Sequence, residues 1–225
     1  MFEFIKGHSV GQGFGLDEYK LYWHIDESVL NEWGVSDSAH YELIKEHIGK
    51  VSTTSKPWAV WFITLNTHTP YGATDPGCHI PEDVSKEELL QSSIRCSSRQ
   101  LKDFIKWAKT QEWYSNTTIA VMGDHTTMAP LHAIGFRDTE QTHYWLDFFI
   151  NSATTAKTDK RTFSSLDMFP TILEAMGAEI PGNALGLGRS LFSEKPTLIE
   201  KYGLDALNNA LEKNSDKYNY FIYGQ

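Results

Sequence analysis

"PWAVWFITL", residues 57–65, is a nearly continuous apolar run rich in aromatic and β-branched side chains. A run of that length predicts a strand covered on both faces, as in a parallel sheet. It passes directly into "NTHTPYG", so the end of the strand delivers Thr67 and His68. Upstream, "SDSAHYELIKEHI" (36–48) reads as a helix with Ser36 or Asp37 as N-cap and Tyr41, Leu43, Ile44 and Ile48 as its apolar face. Downstream, after a long polar loop holding Cys78, helical spacing links Leu90, Ile94, Leu101, Phe104, Ile105 and Ala108 between Ser85 and about Lys109.

Further strands and helices follow in alternation. "NTTIAVMGDH" (116–125) is a second passage from strand to loop, and "YWLDFFI" (144–150) reads as a third strand. "SSLDMFPTILEAMG" (164–177) predicts a compact helix capped by Asp167, with Pro170 in its first turn and Gly177 stopping it. Leu166, Phe169, Ile172, Leu173 and Met176 are its expected core face, and the tail "KYNYFIYGQ" (217–225) reads as a final edge strand. The expected fold class is therefore α/β, a largely parallel sheet sandwiched by helices, with ligands beyond the carboxyl ends of the strands. The expected organisation is a single domain over residues 1–225, with no internal repeat and no low-complexity tract. "GQGFG" (11–15) is a weak match to a nucleotide loop, since no strand precedes it, and reads as a turn.

Bulk properties narrow the partners. A formal net charge of −9 over 225 residues argues against nucleic acid and anionic membrane surfaces as partners held by long-range attraction. No stretch approaches the roughly 20 apolar residues of a membrane span, and the N-terminus carries no export-signal pattern. The two cysteines, Cys78 and Cys96, are either unrelated thiols or a bridge. A bridge would imply an oxidising compartment.

Two strand ends carry residues able to ligate a metal or a phosphate: Thr67 with His68, and Asp124 with His125. A turn explains Gly123 and Asp124 equally well on local grounds. Carboxylate oxygen combined with imidazole nitrogen suits Mn²⁺, Zn²⁺ or Fe²⁺, and in a parallel sheet the two strand ends would open on one edge.

"FITLNTHTPYG", "NTTIAVMGDHTTM", "LDMFPTILEAMG" and "LGLGRSLF", in this order, resemble segments of the alkaline phosphatase and sulfatase superfamily. More closely they resemble bacterial phosphoglycerol transferases and the related lipoteichoic acid synthases, and "NTHTPYGATDPGC" points to the branch that decorates periplasmic glucans. The likeness runs from about Trp33 to Ser193. It implies that Asp124 and His125 are the metal-binding pair and that His68 lies beside the substrate phosphate as a catalytic and substrate-binding group. Mn²⁺ is the implied metal, with Zn²⁺ or Mg²⁺ as alternatives. The implied donor is a phosphatidylglycerol-type lipid, the acceptor a glucan, and the location the periplasmic face of the bacterial inner membrane.

The departures matter as much. In the family a threonine nucleophile, an acidic ligand and membrane helices lie upstream of the segments matched here. Neither Thr67 nor Thr126 takes the nucleophile's place in that pattern. The chain is therefore expected to be the C-terminal portion of a catalytic domain, inactive by itself. His132 and His143 match no family position, and Arg189 reads as structural. The alternatives are a sulfatase or phosphodiesterase of the same superfamily, or an inert truncated module.

Overall fold

A computed structural model describes residues 2–4, 27–31, 33–81, 83–125, 147–152 and 160–224. The glycine-rich stretch at 11–15, Thr126, His132 and His143 lie outside the described residues. The chain divides into two compact units, Met1–Tyr114 with Gly123–Trp145, and Ser115–Met122 with Leu146–Gln225.

In the first unit, β1 (Phe2–Phe4) pairs in parallel with β4 (Ala59–Trp61), Phe2 opposite Ala59 and Phe4 opposite Trp61. Between them β2 (Leu30–Asn31) and β3 (Gly34–Val35) form a short antiparallel pair, followed by helix α1 (Asp37–Val51). The loop after β4 leads to α2 (Lys86–Ala108). Ser85 opens α2 with a complete capping box: its side chain accepts from the Glu88 N–H, and Glu88 accepts from the Ser85 N–H.

The core of this unit is Tyr41, Ile44, Ile48 and Phe104, with Trp58, Val60, Phe62, Trp107 and Trp113 packed against it. Tyr41, Phe62 and Phe104 contact one another at ring-centroid distances of 5.3–5.8 Å, the spacing that favours tilted and edge-on aromatic pairs. The run 57–65 departs from its expected two-sided burial. Val60 and Phe62 turn to the core, while Trp61 is 58% exposed and Ile63 36%. An apolar run reports that a strand can be buried on two faces; it does not supply the second covering layer. Ile94 likewise lies outside the buried stripe of α2, which Leu90, Ser93, Cys96, Phe104 and Ala108 form instead.

In the second unit, β5 (Ile119–Met122) pairs with β6 (Asp147–Ile150), Ile119 opposite Ile150. This pair is antiparallel, against the expectation for these two strands. Apolar content signals a strand but carries no information about its direction. Helix α3 (Met168–Ala175) begins at Asp167 and stops before Gly177, which takes φ +88°. It buries Met168, Pro170, Thr171 and Ala175 and leaves Phe169 and Met176 exposed, a face rotated from the expected one.

A polar tether explains the rotation. Thr171 Oγ1 donates to the Asp167 carbonyl at 2.5 Å and accepts the Leu191 N–H at 3.0 Å, so the hydroxyl side of the helix faces inward. The antiparallel pair β7 (Ala184–Leu185) and β8 (Gly188–Arg189) follows, then helices α4 (Leu198–Tyr202), α5 (Leu204–Leu211) and α6 (Asp216–Tyr223). The tail is thus a helix, not an edge strand. Ser215 caps it by accepting the Tyr218 N–H, and Tyr220 and Phe221 stay largely in solvent. These exposed aromatic side chains gain little by burial in either form, whereas the cap stabilises the first turn. Among the described residues no helix is long and apolar enough to cross a membrane.

Candidate active site

The loop from Leu65 to Cys78 presents His68, and its first residues are held from below by α1. Asp37, the first residue of that helix, is fully buried, and its Oδ1 accepts the backbone N–H groups of Leu65 at 2.7 Å and Asn66 at 3.2 Å. Asn66 is 1% exposed. Its Oδ1 accepts from Asn31 Nδ2 at 2.8 Å and its Nδ2 donates to Asp75 Oδ2. Asp75 also accepts the N–H of Ser38 at 3.0 Å and of Gly77 at 2.6 Å. Ser93 closes the loop from α2, donating to the carbonyls of Ala73 and Leu89.

The two buried carboxyls are pushed apart. Burial raises the Asp37 carboxyl to about 6, against two backbone hydrogen bonds that lower it, and the nearby Asp75 charge adds to the rise. Asp75 is also penalised by burial, yet hydrogen bonds from Ser38, Gln100 and Gly77 outweigh that penalty and hold it below its usual range. One carboxyl of the pair therefore carries the charge more readily than the other.

His68 sits at the surface of this cradle. Its Nδ1 lies 2.6 Å from the Thr69 carbonyl oxygen, which can only accept. The neutral ring is therefore protonated at Nδ1, leaving Nε2 to receive or deliver a proton. The indole of Trp33 packs on the ring, centroids 4.0 Å apart and planes inclined by 33°.

Asp124 and His125 follow β5 at Gly123. The Asp124 carboxylate accepts the His125 backbone N–H at 2.9 Å, and the imidazole Nε2 lies 3.5 Å from Asp124 Oδ2. Both side chains are more than half exposed. One carboxylate and one imidazole side by side fit two positions of a borderline divalent metal. Among the described residues no group of three ligand atoms lying within 4.8 Å of one another includes Asp124, His125 or His68. Such a group does occur at Asp75, Cys78 and Cys96, but both sulfurs are joined to each other in a disulfide, with Cα atoms 6.0 Å apart.

Arg189 is placed in the second unit, its backbone N–H on Asp167 Oδ1 at 2.8 Å and its guanidinium on the Gly188 carbonyl. Trp33, Asn66 and Asp75 are parts of the His68 cradle that residue patterns do not single out, and Asp37 reads from them only as a helix cap. The available signal was the cluster Asn66, Thr67, His68 and Thr69, with Thr74 and Asp75 close behind, following directly on an apolar run.

The sulfatase family model matches residues 3–178. The chain is 25% identical over 194 residues to proteins named phosphoglycerol transferase I from Citrobacter koseri and Escherichia fergusonii, an overlap covering 84% of this chain and 24% of theirs. The same protein from Salmonella arizonae matches to the same extent. The chain thus spans about a quarter of the length of these relatives. Among solved structures it is similar to a protein in the alkaline phosphatase superfamily from Vibrio parahaemolyticus, at 23% identity and a TM-score of 0.55, over 78% of this chain and 41% of that one. That likeness supports the α/β fold class.

Proposed function

The chain belongs to the sulfatase family, and from that premise we propose that it forms part of a metal-dependent phosphoglycerol transferase. In this reading a phosphoglycerol group passes from a phosphatidylglycerol-type lipid to a glucan at the periplasmic face of the inner membrane, by way of a threonine-linked intermediate. The shared name of the curated relatives supports the reaction class. The adjacent Asp124 and His125 side chains are the observation that carries the metal assignment.

Asp124 and His125 would hold the metal, Mn²⁺ first and Zn²⁺ or Mg²⁺ as alternatives, and a bound metal supplies charge neutralisation at the phosphate. His68 has the tautomer its role requires. With Nδ1–H committed to the Thr69 carbonyl, Nε2 can give a proton to a departing alcohol oxygen and later take one from the incoming hydroxyl. A protonated His68 would also draw the phosphate into place. In this reading no threonine of this chain is assigned as the acceptor of the group, so these segments alone are expected not to turn over.

Manganese electron-paramagnetic-resonance titration of the chain tests the ligand pair. Weak binding that disappears in Asp124→Asn and in His125→Ala is expected, because two protein donors make half of a usual site. Unchanged binding in both variants would overturn the assignment. Activity is read in protein carrying these segments together with the nucleophile, as diacylglycerol released from phosphatidylglycerol vesicles. A soluble glucan should gain phosphoglycerol in step with that release. Release with no labelled glucan would favour the hydrolytic reading.

A further inference from the structure

We propose that Trp33 is the positioning residue of His68: its indole face fixes the plane of the imidazole that meets the phosphate. This rests on the reading of His68 given above and adds to it the group that orients the ring. Among the described residues the one hydrogen bond of the His68 ring is at Nδ1, on the Thr69 carbonyl at 2.6 Å, and a single bond of that kind does not by itself fix the plane of a ring. The Trp33 ring, 4.0 Å away and inclined by 33°, limits that plane from one face.

The indole is itself anchored to the loop it supports. The Trp33 backbone N–H donates to Asn31 Oδ1 at 2.9 Å. Asn31 Nδ2 in turn donates to Asn66 Oδ1 at 2.8 Å and to the Thr74 carbonyl at 3.3 Å. Asp37, four residues beyond Trp33, holds the N–H groups of Leu65 and Asn66. These bonds tie Asn31, Trp33 and Asp37 to the 65–75 loop, which supports the spacing of Trp33 and His68.

The chemistry of the indole points to its ring as the working part. Trp33 Nε1 is buried and, among the described residues, has no hydrogen-bond acceptor. A tryptophan kept for its N–H would present it to a partner. One kept for its face can tolerate the unpaired donor, and an indole face also attracts the imidazolium that forms when His68 carries the proton. Phenylalanine should therefore replace Trp33 and leucine should not.

The test uses the chain with diamagnetic Mg²⁺ present and sn-glycerol 1-phosphate as probe. The His68 ring protons, identified by their loss in His68→Ala, should resonate upfield in the wild-type proton NMR spectrum and move downfield in Trp33→Leu. Trp33→Phe should keep a ring-current shift. Probe titration should bind about three- to tenfold more weakly to Trp33→Leu, the loss of one aromatic contact, and within about twofold of wild type to Trp33→Phe. Spectral dispersion and thermal midpoint confirm that each variant folds, and an unfolded Trp33→Leu leaves Trp33→Phe against Trp33→His as the deciding pair. His68 signals that ignore Trp33→Leu, or equal affinity in wild type and a folded Trp33→Leu, overturn the proposal. Equal affinity in wild type and His68→Ala, or no binding to wild type, instead overturns the reading of His68 as a phosphate-facing group, and the positioning role falls with it.

Discussion

Asp37 Oδ1 accepts the Leu65 N–H at 2.7 Å, so the first residue of α1 holds the start of the loop that presents His68. The other carboxylate oxygen, Oδ2, is buried and, among the described residues, has no hydrogen-bond partner. An anion so placed is held by two backbone donors on one oxygen and little on the other. That imbalance lets desolvation win and raises the group to about 6 from 3.8.

Stability should therefore fall as pH rises through the window from about 4 to about 6. Between those values the folded protein keeps a proton on Asp37 that the unfolded chain has released, so the contribution is full below about 4 and gone above about 6. The shift corresponds to something on the order of 3 kcal/mol. Urea unfolding of wild type and Asp37→Asn across this range should give a difference between the two that changes with pH by a sizeable part of that amount. A constant difference would show that Asp37 is ionised alike in both states.

The same loop is tied at its far end by the Cys78–Cys96 disulfide, which joins it to the buried side of α2 across 18 residues. A cross-link closing a loop of that size restricts the unfolded chain by about 3 kcal/mol in the chain-entropy picture. Cys78→Ala with Cys96→Ala should lower unfolding stability by roughly 2–4 kcal/mol. Thiol labelling of the native, unreduced protein should detect no free thiol, since both cysteines are paired. Labelling at both positions would remove the disulfide and, with it, the reason to place the chain in an oxidising compartment.

What the sequence makes legible is what neighbours in the chain decide. The start of α2 is readable at Ser85 because Glu88, the other half of its capping box, is three residues away. The β5 strand and its exit at Gly123 are readable because an apolar run stops abruptly at a turn residue. Asp37 shows the boundary: it reads as a helix-cap candidate, yet its carboxylate turns away from the helix to groups 28 and 29 residues downstream. Nothing local marks that choice. The α3 face is misjudged for the same reason, since Thr171 is drawn inward by Leu191, 20 residues on. The ring contact that sets His68 joins residues in separate segments, so no spacing rule reaches it.

Gly72 is a position where the loop leaves no room. Its φ is +72°, and a Cβ added there would come within 2.6 Å of Ser93 Oγ and 3.1 Å of the Asn66 carbonyl. Both neighbours are committed: Ser93 donates to the Ala73 and Leu89 carbonyls, and the Asn66 carbonyl accepts the Ala73 N–H. Gly72→Ala should cost about 1–3 kcal/mol through backbone strain and displacement of Ser93. Its unfolding midpoint should drop, and the His68 ring protons should shift as the loop moves. A variant as stable as wild type would mean that Ser93 can leave its bonds without penalty.

Arg161 gathers the second unit's carboxyl-terminal turns. Its Nε and Nη2 pair with the two oxygens of Glu200 at 2.9 Å each, and its remaining donors reach the carbonyls of Ser193 at 2.6 Å and Lys195 at 2.7 Å. Glu200 completes a capping box with Thr197 and accepts the Thr162 N–H, so a single carboxylate links three segments. Its hydrogen bond to Arg161 is the main cause that holds the carboxyl down to about 2. A depressed acid contributes stability above its unfolded value of about 4.5, and loses it as pH falls toward 2. Arg161→Ala should destabilise by roughly 2–4 kcal/mol at neutral pH, the loss of several charge-assisted bonds with the carboxylate left behind. Arg161→Lys should recover little, because an ammonium cannot span both oxygens and two carbonyls at once. Because the pair weakens as Glu200 takes up a proton, the gap between wild type and Arg161→Ala should narrow below about pH 4. A gap that stays constant down to pH 2 would show that the carbonyl bonds, rather than the ion pair, hold these turns together.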